Sequence, residues 1–272
     1  MIESSNSNTG MQAKERWWDN VWASFIFFTR LPLWRVHQPP RQCYRAVVEH
    51  WPLVGWLTGG VAGGVLYGSS LMMPYAVAVV MALVARTLLT GALHEDGLAD
   101  FFDGFGGGGS DRQRVLAIMK DSHIGTYGVL GLVFYELLLF ATLWSMPPLV
   151  AAMTIVAADP FAKMITAQLV MMMPYARTEQ EAKSRMVYRR MDTWAGISLA
   201  LQGLPPVAAF IWLTGVNWQV VIIVPCLVMY FLYLFIWRRL RGYTGDCCGA
   251  VCLLVELALC LAVCSQNIEL PI

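Results

Sequence analysis

Trp218-Gln219-Val220-Val221-Ile222-Ile223-Val224-Pro225-Cys226-Leu227-Val228-Met229-Tyr230-Phe231-Leu232-Tyr233-Leu234-Phe235-Ile236 is the stretch on which the fold turns. No Asp, Glu, Lys or Arg interrupts it, and Arg238, Arg239 and Arg241 follow at once. A bilayer core takes about 20 apolar helical residues. Inside it, backbone N–H and C=O groups must pair within their own segment, which a helix achieves. Working outward, the same reading applies to Pro52–Met73, Tyr75–Leu93, Gly125–Met146, Leu149–Met173, Ala195–Gly215 and Gly249–Cys264. Trp17–Leu33 is aromatic and amphipathic, broken by Asp19 and Arg30, and suits a helix lying in the membrane interface. The expected fold class is all-α: a polytopic membrane helix bundle of about seven transmembrane helices plus an N-terminal interfacial helix.

Composition agrees. Apolar residues make up 57% of the chain and charged ones 14%, against about 25% charged in soluble domains. A net charge of +1 provides no field for nucleic acid. Residues 1–16 are polar and Ser/Asn-rich without an apolar core. They read as a disordered tail and not as a cleaved secretory signal. Residues 17–272 then form a single membrane-embedded domain with no separating linker.

The loops set the orientation. All Lys and Arg except Arg86 and Lys163 fall before the first span or after the second, fourth and sixth. The intervening loops, around Pro74, Pro147–Pro148 and Val216–Asn217, carry none. By the positive-inside rule the N-terminus is cytoplasmic and the C-terminus outside. The first span repeats glycine every fourth residue, as Gly55, Gly59, Gly63 and, offset, Gly60, Gly64, Gly68. Such spacing lets a neighbouring helix approach closely.

His94-Glu95-Asp96-Gly97-Leu98-Ala99-Asp100-Phe101-Phe102-Asp103-Gly104 follows the second span. If that span continues helically, Asp96, Asp100 and Asp103 share one face, where like charges repel. Hard oxygens so gathered suit Mg2+, which takes carboxylates together with substrate phosphates. Gly104 to Gly109 continue the run but lack the Gly-Lys-Ser/Thr of a Walker loop, which leaves a hinge as the simpler reading. A surface helix restarts with Ser110 and Gln113 as a capping box. It ends in Lys120-Asp121-Ser122-His123, and Tyr243-Thr244-Gly245-Asp246 opens the last span. All three acidic segments return to one membrane face beside glycines and basic residues, as phosphate handling requires.

Arg86, Glu136, Lys163 and Glu256 each lie roughly 15 Å from the cytoplasmic end of their spans. They read as a buried polar layer, either functional or purely a structural pairing. Asp159-Pro160 reads as a kink. The cysteines, including Cys247, Cys248, Cys252, Cys260 and Cys264 in and beside the last span, read as small packing residues.

The strings His94-x-Asp96-Gly97-Leu98-Ala99-Asp100-x-x-Asp103-Gly104, Ile118-Met119-Lys120-Asp121-Ser122-x-Ile124-Gly125-x-x-Gly128 and Thr244-Gly245-Asp246-x-x-Gly249-Ala250 closely resemble the cobalamin synthase family, the adenosylcobinamide-GDP ribazoletransferases. Phe28-Thr29-Arg30-Leu31-Pro32 is similar to that family's entry motif. The chain departs from the pattern at Lys120 and His123, where arginines are expected, and at Arg241, where a second glycine is usual. The resemblance implies a magnesium-dependent enzyme of the bacterial inner membrane with a cytoplasmic active site. Its partners are adenosylcobinamide-GDP, α-ribazole or its 5′-phosphate, and the lipid bilayer. Asp96, Asp100 and Asp103 are then the expected metal ligands, with Asp121 or Asp246 as base or further ligand. Arg114, Lys120, His123 and Thr244 are the expected phosphate contacts. A CDP-alcohol phosphotransferase is the alternative enzyme, although its Asp-Gly-x-x-Ala-Arg pattern finds no arginine after Asp96-Gly97-Leu98-Ala99-Asp100. In a transporter, the third reading, the four intramembrane charges would form an ion path.

Overall fold

The structure is a computed structural model that describes Arg16, residues 18–177 and residues 188–266. The expectation for the N-terminal tail falls almost wholly outside these residues. A short helix α1 (Asp19–Phe28) leads through 3-10 turns at Leu33–Arg35 and Arg41–His50 into α2 (Trp51–Ser70) and α3 (Tyr75–Thr90). Then come α4 (Leu93–Gly107), α5 (Arg112–Lys120), α6 (Thr126–Trp144) and α7 (Pro148–Met172). Helices α8 (Thr193–Thr214), α9 (Trp218–Leu240) and α10 (Gly245–Cys264) complete the bundle.

Helices α6 to α10 are long and apolar enough to cross a membrane, and α3 with α4 makes a sixth candidate only as a pair bent by 91°. Thus five or six spans pass on composition where seven were expected. The remaining one, α2, has 20 residues, which at about 1.5 Å each reach roughly 30 Å. Its glycines and hydroxyl residues keep its apolarity low. Helices α7 and α10 are mostly enclosed, whereas α6, α8 and α9 turn most of their surface outward.

The glycines of α2 divide by face. A Cβ on Gly55 would come within 2.7 Å of Pro160 Cα, and one on Gly63 within 2.7 Å of the Ala152 carbonyl oxygen. A Cβ on Gly59 would lie 3.0 Å from the Ile155 carbonyl oxygen and 3.1 Å from Asp159 Cβ. Gly60, Gly64 and Gly68 meet nothing within 4 Å, so only the first of the two glycine rows packs a helix.

Helix α3 does not continue into the acidic run. Gly91 (φ 67°) and Ala92 (φ 57°) are both left-handed and end it, a conformation that costs a non-glycine residue about 1 kcal/mol. The segment after α1 holds the bend: Arg30 N donates to the Leu89 carbonyl at 2.8 Å. The Arg30 side chain lies so close to Gly91 that a Cβ there would sit 2.4 Å from its Nε.

Residues 104–107 belong to α4 and are no hinge. A Cβ on Gly104 would meet Met119 at 2.6 Å, and one on Gly106 would meet Tyr127 at 2.5 Å. The glycine run is therefore the surface on which α5 and the start of α6 pack. The cap of α5 is Asp111 and not Ser110, because its carboxylate takes the N–H groups of Gln113 and Arg114.

Three of the four intramembrane charges, Arg86, Lys163 and Glu256, lie with Asp159 within electrostatic reach of one another in the buried interior. Arg86 donates to Glu256 at 2.7 Å and to the Tyr135 hydroxyl at 3.1 Å. Lys163 pairs with Asp159, which also accepts from Thr58 Oγ1 at 2.6 Å. Asp159 thus anchors an ion pair beside Pro160, within a helix recorded as continuous. Glu136 lines an outward groove between α3 and α6, beside Val80, Val84 and Leu137, and is within electrostatic reach of Arg86. None of the seven cysteines forms a disulfide, and the five named above are buried or half-buried in α10.

Candidate active site

The ends of the elements that carry the three strings meet at one end of the bundle. Arg112 ties them by donating through Nε to the Leu240 carbonyl and through a terminal nitrogen to that of Ala176, both at 2.7 Å. Cationic donors of this kind satisfy the carbonyls a helix leaves unpaired at its C-terminus. The segment after α7 runs against the one after α9: Ala176 N donates to Tyr243 O at 2.8 Å and Tyr243 N to Pro174 O at 3.0 Å.

Two glycines press α4 onto α10. A Cβ on Gly97 would lie 3.1 Å from the Asp246 carbonyl oxygen, and one on Gly249 would lie 3.2 Å from that of His94. This contact brings the first and third strings together around a cavity of about 150 Å3. Asp96, Asp246, His94, Trp51, Tyr175 and Arg177 are among its lining residues. A second cavity adjoins it at Tyr175 and Tyr188, and a third, containing Arg30, adjoins it at Phe27, Leu93 and Asp96. Asp96 is exposed and Asp246 is 9% exposed. Burial lifts the Tyr175 phenol above its ordinary value, with Arg177 pulling it down and Asp246 pushing it up. Tyr175 therefore stays a hydrogen-bond donor at neutral pH.

The expected metal triad does not assemble. Asp103 is buried, and its two oxygens accept from Gly125 N at 2.7 Å and Gly128 N at 2.8 Å. It closes the start of α6, where unpaired N–H groups and the helix dipole favour a carboxylate. Asp100 is buried as well and does not line the cavity. Among the described residues no three His, Cys, Asp or Glu come together as a metal-holding group. Asp96 and Asp246 do share the cavity, and magnesium ordinarily takes one or two protein carboxylates with substrate phosphates completing its shell. That pair fits an ion arriving with a diphosphate.

Asp121 and His123 are paired with each other at 2.7 Å on the exposed surface and do not line the cavity. Their hydrogen bond holds the Asp121 carboxyl below the usual carboxylate range and raises His123. Arg114 and Lys120 are exposed on α5, also outside the cavity. Thr244 is buried and caps α10, its hydroxyl accepting from Cys247 N at 3.2 Å. Among the described residues, the cation lining the cavity is instead Arg177, which also donates to the Leu116 carbonyl at 2.8 Å. In the sequence it is one loop arginine among several, and only the pairing of residues 174–176 with Tyr243 carries it here. Trp51, Tyr175 and Tyr188 likewise carry no local signal.

The profile of the cobalamin-5-phosphate synthase family matches residues 20–264. Among curated relatives, an adenosylcobinamide-GDP ribazoletransferase of Leptothrix cholodnii is 38% identical over 85% of this chain and 89% of its own length. One of Shewanella frigidimarina is 35% identical over 87% and 93%, and one of Ralstonia pickettii 33% over 91% and 95%. No solved structure matches the chain. With nearly the whole membrane bundle matched, motif strings included, the chain belongs to the cobalamin-5-phosphate synthase family.

Proposed function

We propose that the chain is a membrane-bound transferase that joins adenosylcobinamide-GDP to α-ribazole or its 5′-phosphate and releases GMP, in the assembly of the cobalamin nucleotide loop. The observation that carries this reading is the meeting of two family strings, through Gly97 and Gly249, at a cavity holding Asp96, Asp246 and Arg177. A ribose hydroxyl of the acceptor attacks the phosphate attached to the cobinamide arm. A new P–O bond forms there, the P–O bond to GMP breaks, and the hydroxyl proton passes to a carboxylate, Asp96 or Asp246. In such transfers the protein's work is positioning and charge stabilisation. Arg177 and the Tyr175 hydroxyl donate to phosphate oxygens. Magnesium held with the diphosphate by Asp96 and Asp246 would neutralise its charge. The site faces the cytoplasm of a bacterial inner membrane, on the side where the basic loops gather.

The test mixes purified protein with adenosylcobinamide-GDP, α-ribazole 5′-phosphate and magnesium. GMP and a cobalamin product appear in equal amounts, and chelation of magnesium stops both. Turnover of CDP-linked alcohols alone would favour the phosphotransferase alternative and sink this reading.

A further inference from the structure

One wall of the cavity consists of three nearly parallel rings. Phe28 and Trp51 stack at 5.0 Å and 14°, Trp51 and His94 at 5.7 Å and 11°, and Phe28 and His94 at 6.2 Å and 11°. Trp51 is 2% exposed and His94 4%. Trp51 Nε1 and His94 Nε2 are both buried without a hydrogen-bond partner. A buried donor or acceptor left unpaired costs about 1–3 kcal/mol, and few occur in folded proteins. Two on adjacent stacked rings lining one cavity call for a ligand that supplies both partners.

The chemistry of the wall selects the ligand. Phe27, Phe28, Val48 and Leu93 line the same cavity beside these rings and add apolar surface. Guanine carries a carbonyl, a ring N–H, an amino group and an acceptor nitrogen, and several of these would stay unpaired against such a wall. A benzimidazole presents one imine nitrogen, and the rest of its edge is C–H and methyl. An indole N–H is a donor only, so it matches that nitrogen alone.

We propose that this wall seats the bicyclic base of the acceptor. Trp51 Nε1 donates to its imine nitrogen, and His94 Nε2 meets a ribose hydroxyl. A hydroxyl can donate or accept, so it suits either tautomer of the imidazole. Trp51 then determines which ribosides are accepted, while the charged groups of the same cavity remain for the diphosphate. The inference rests on the transferase reading above.

The test is calorimetric binding of two ribosides to the purified full chain in detergent. One is α-ribazole, and the other is its 5,6-dimethylindole analogue, in which C–H replaces the imine nitrogen. The unaltered protein binds α-ribazole about tenfold more tightly than the analogue, the worth of one hydrogen bond in a buried site. Trp51→Phe keeps a stacked ring and closes the gap by weakening α-ribazole alone. His94→Phe weakens both ribosides alike. Equal binding of the two ribosides by the unaltered protein overturns the seat, as does a gap that survives Trp51→Phe. The first comparison needs no variant, so poor folding of either mutant leaves it intact. Failure to release GMP with the discrimination intact would sink the transferase reading alone. Turnover without discrimination would sink the seat alone.

Discussion

Asp103 and Asp96 share a motif but do different work. Asp103 accepts two backbone N–H groups at the start of α6, whereas Asp96 is exposed at the cavity. Asp103→Asn leaves one acceptor oxygen for two donors. It should cost about 1–3 kcal/mol, read as a lower midpoint of thermal unfolding in detergent. Asp96→Asn should melt as the unaltered protein does and lose roughly 10²-fold or more in GMP release. Asp111→Asn is the control, since asparagine caps a helix about as well as aspartate. An unchanged melting midpoint in Asp103→Asn would remove its capping role. The sequence shows three aspartates at helical spacing, and that spacing is real. Which of them meets solvent depends on what packs against α4, which no local pattern records.

Among the elements, α2 and α7 share the most extensive contact, and the row Gly55, Gly59, Gly63 permits it. Gly63→Val would push a branched side chain into the Ala152 carbonyl and Val156, costing about 1–3 kcal/mol or more. Gly64→Val, one residue along and facing nothing within 4 Å, should stay within about 0.5 kcal/mol. Resistance to unfolding by added anionic detergent compares the two, and equal loss in both would refute the assignment of faces. The buried pairs Arg86–Glu256 and Lys163–Asp159 join α3 to α10 and lie within α7. Each leaves little charge uncompensated in the apolar interior, as buried ions require.

For the whole molecule, the ends of α2, α4, α6, α7, α9 and α10 that carry the basic loops and motif strings gather at one end of the bundle. The opposite end is tied by Tyr75 to Leu143 and by Asn217 to Gln266. Charge asymmetry predicts that the motif end lies in the cytoplasm. Cys247 and Cys248 are too buried to report this, but Ser122 and Ser145 are exposed near the two ends of α6. An impermeant thiol reagent applied to spheroplasts should label Ser145→Cys directly, and Ser122→Cys only once the membrane is opened. The reverse pattern would turn the protein over and move its site outside.

The existence of most helices was legible in the chain itself, although five or six pass as spans where seven were expected. Apolar length and the confinement of Lys and Arg to alternate loops are local properties that a bilayer reads directly. The family strings were equally legible, and so was the end of the bundle to which they return. Tertiary structure alone decided the 91° bend at Gly91–Ala92, the use of Asp103 as a cap and the presence at the cavity of Arg177, with Arg114, Lys120 and His123 outside it. It also drew Trp51 and His94 into one wall from different helices. The physical reason is common to all of these. A carboxylate, a guanidinium or a ring nitrogen takes its role from the partner that satisfies it, and that partner lies on another helix.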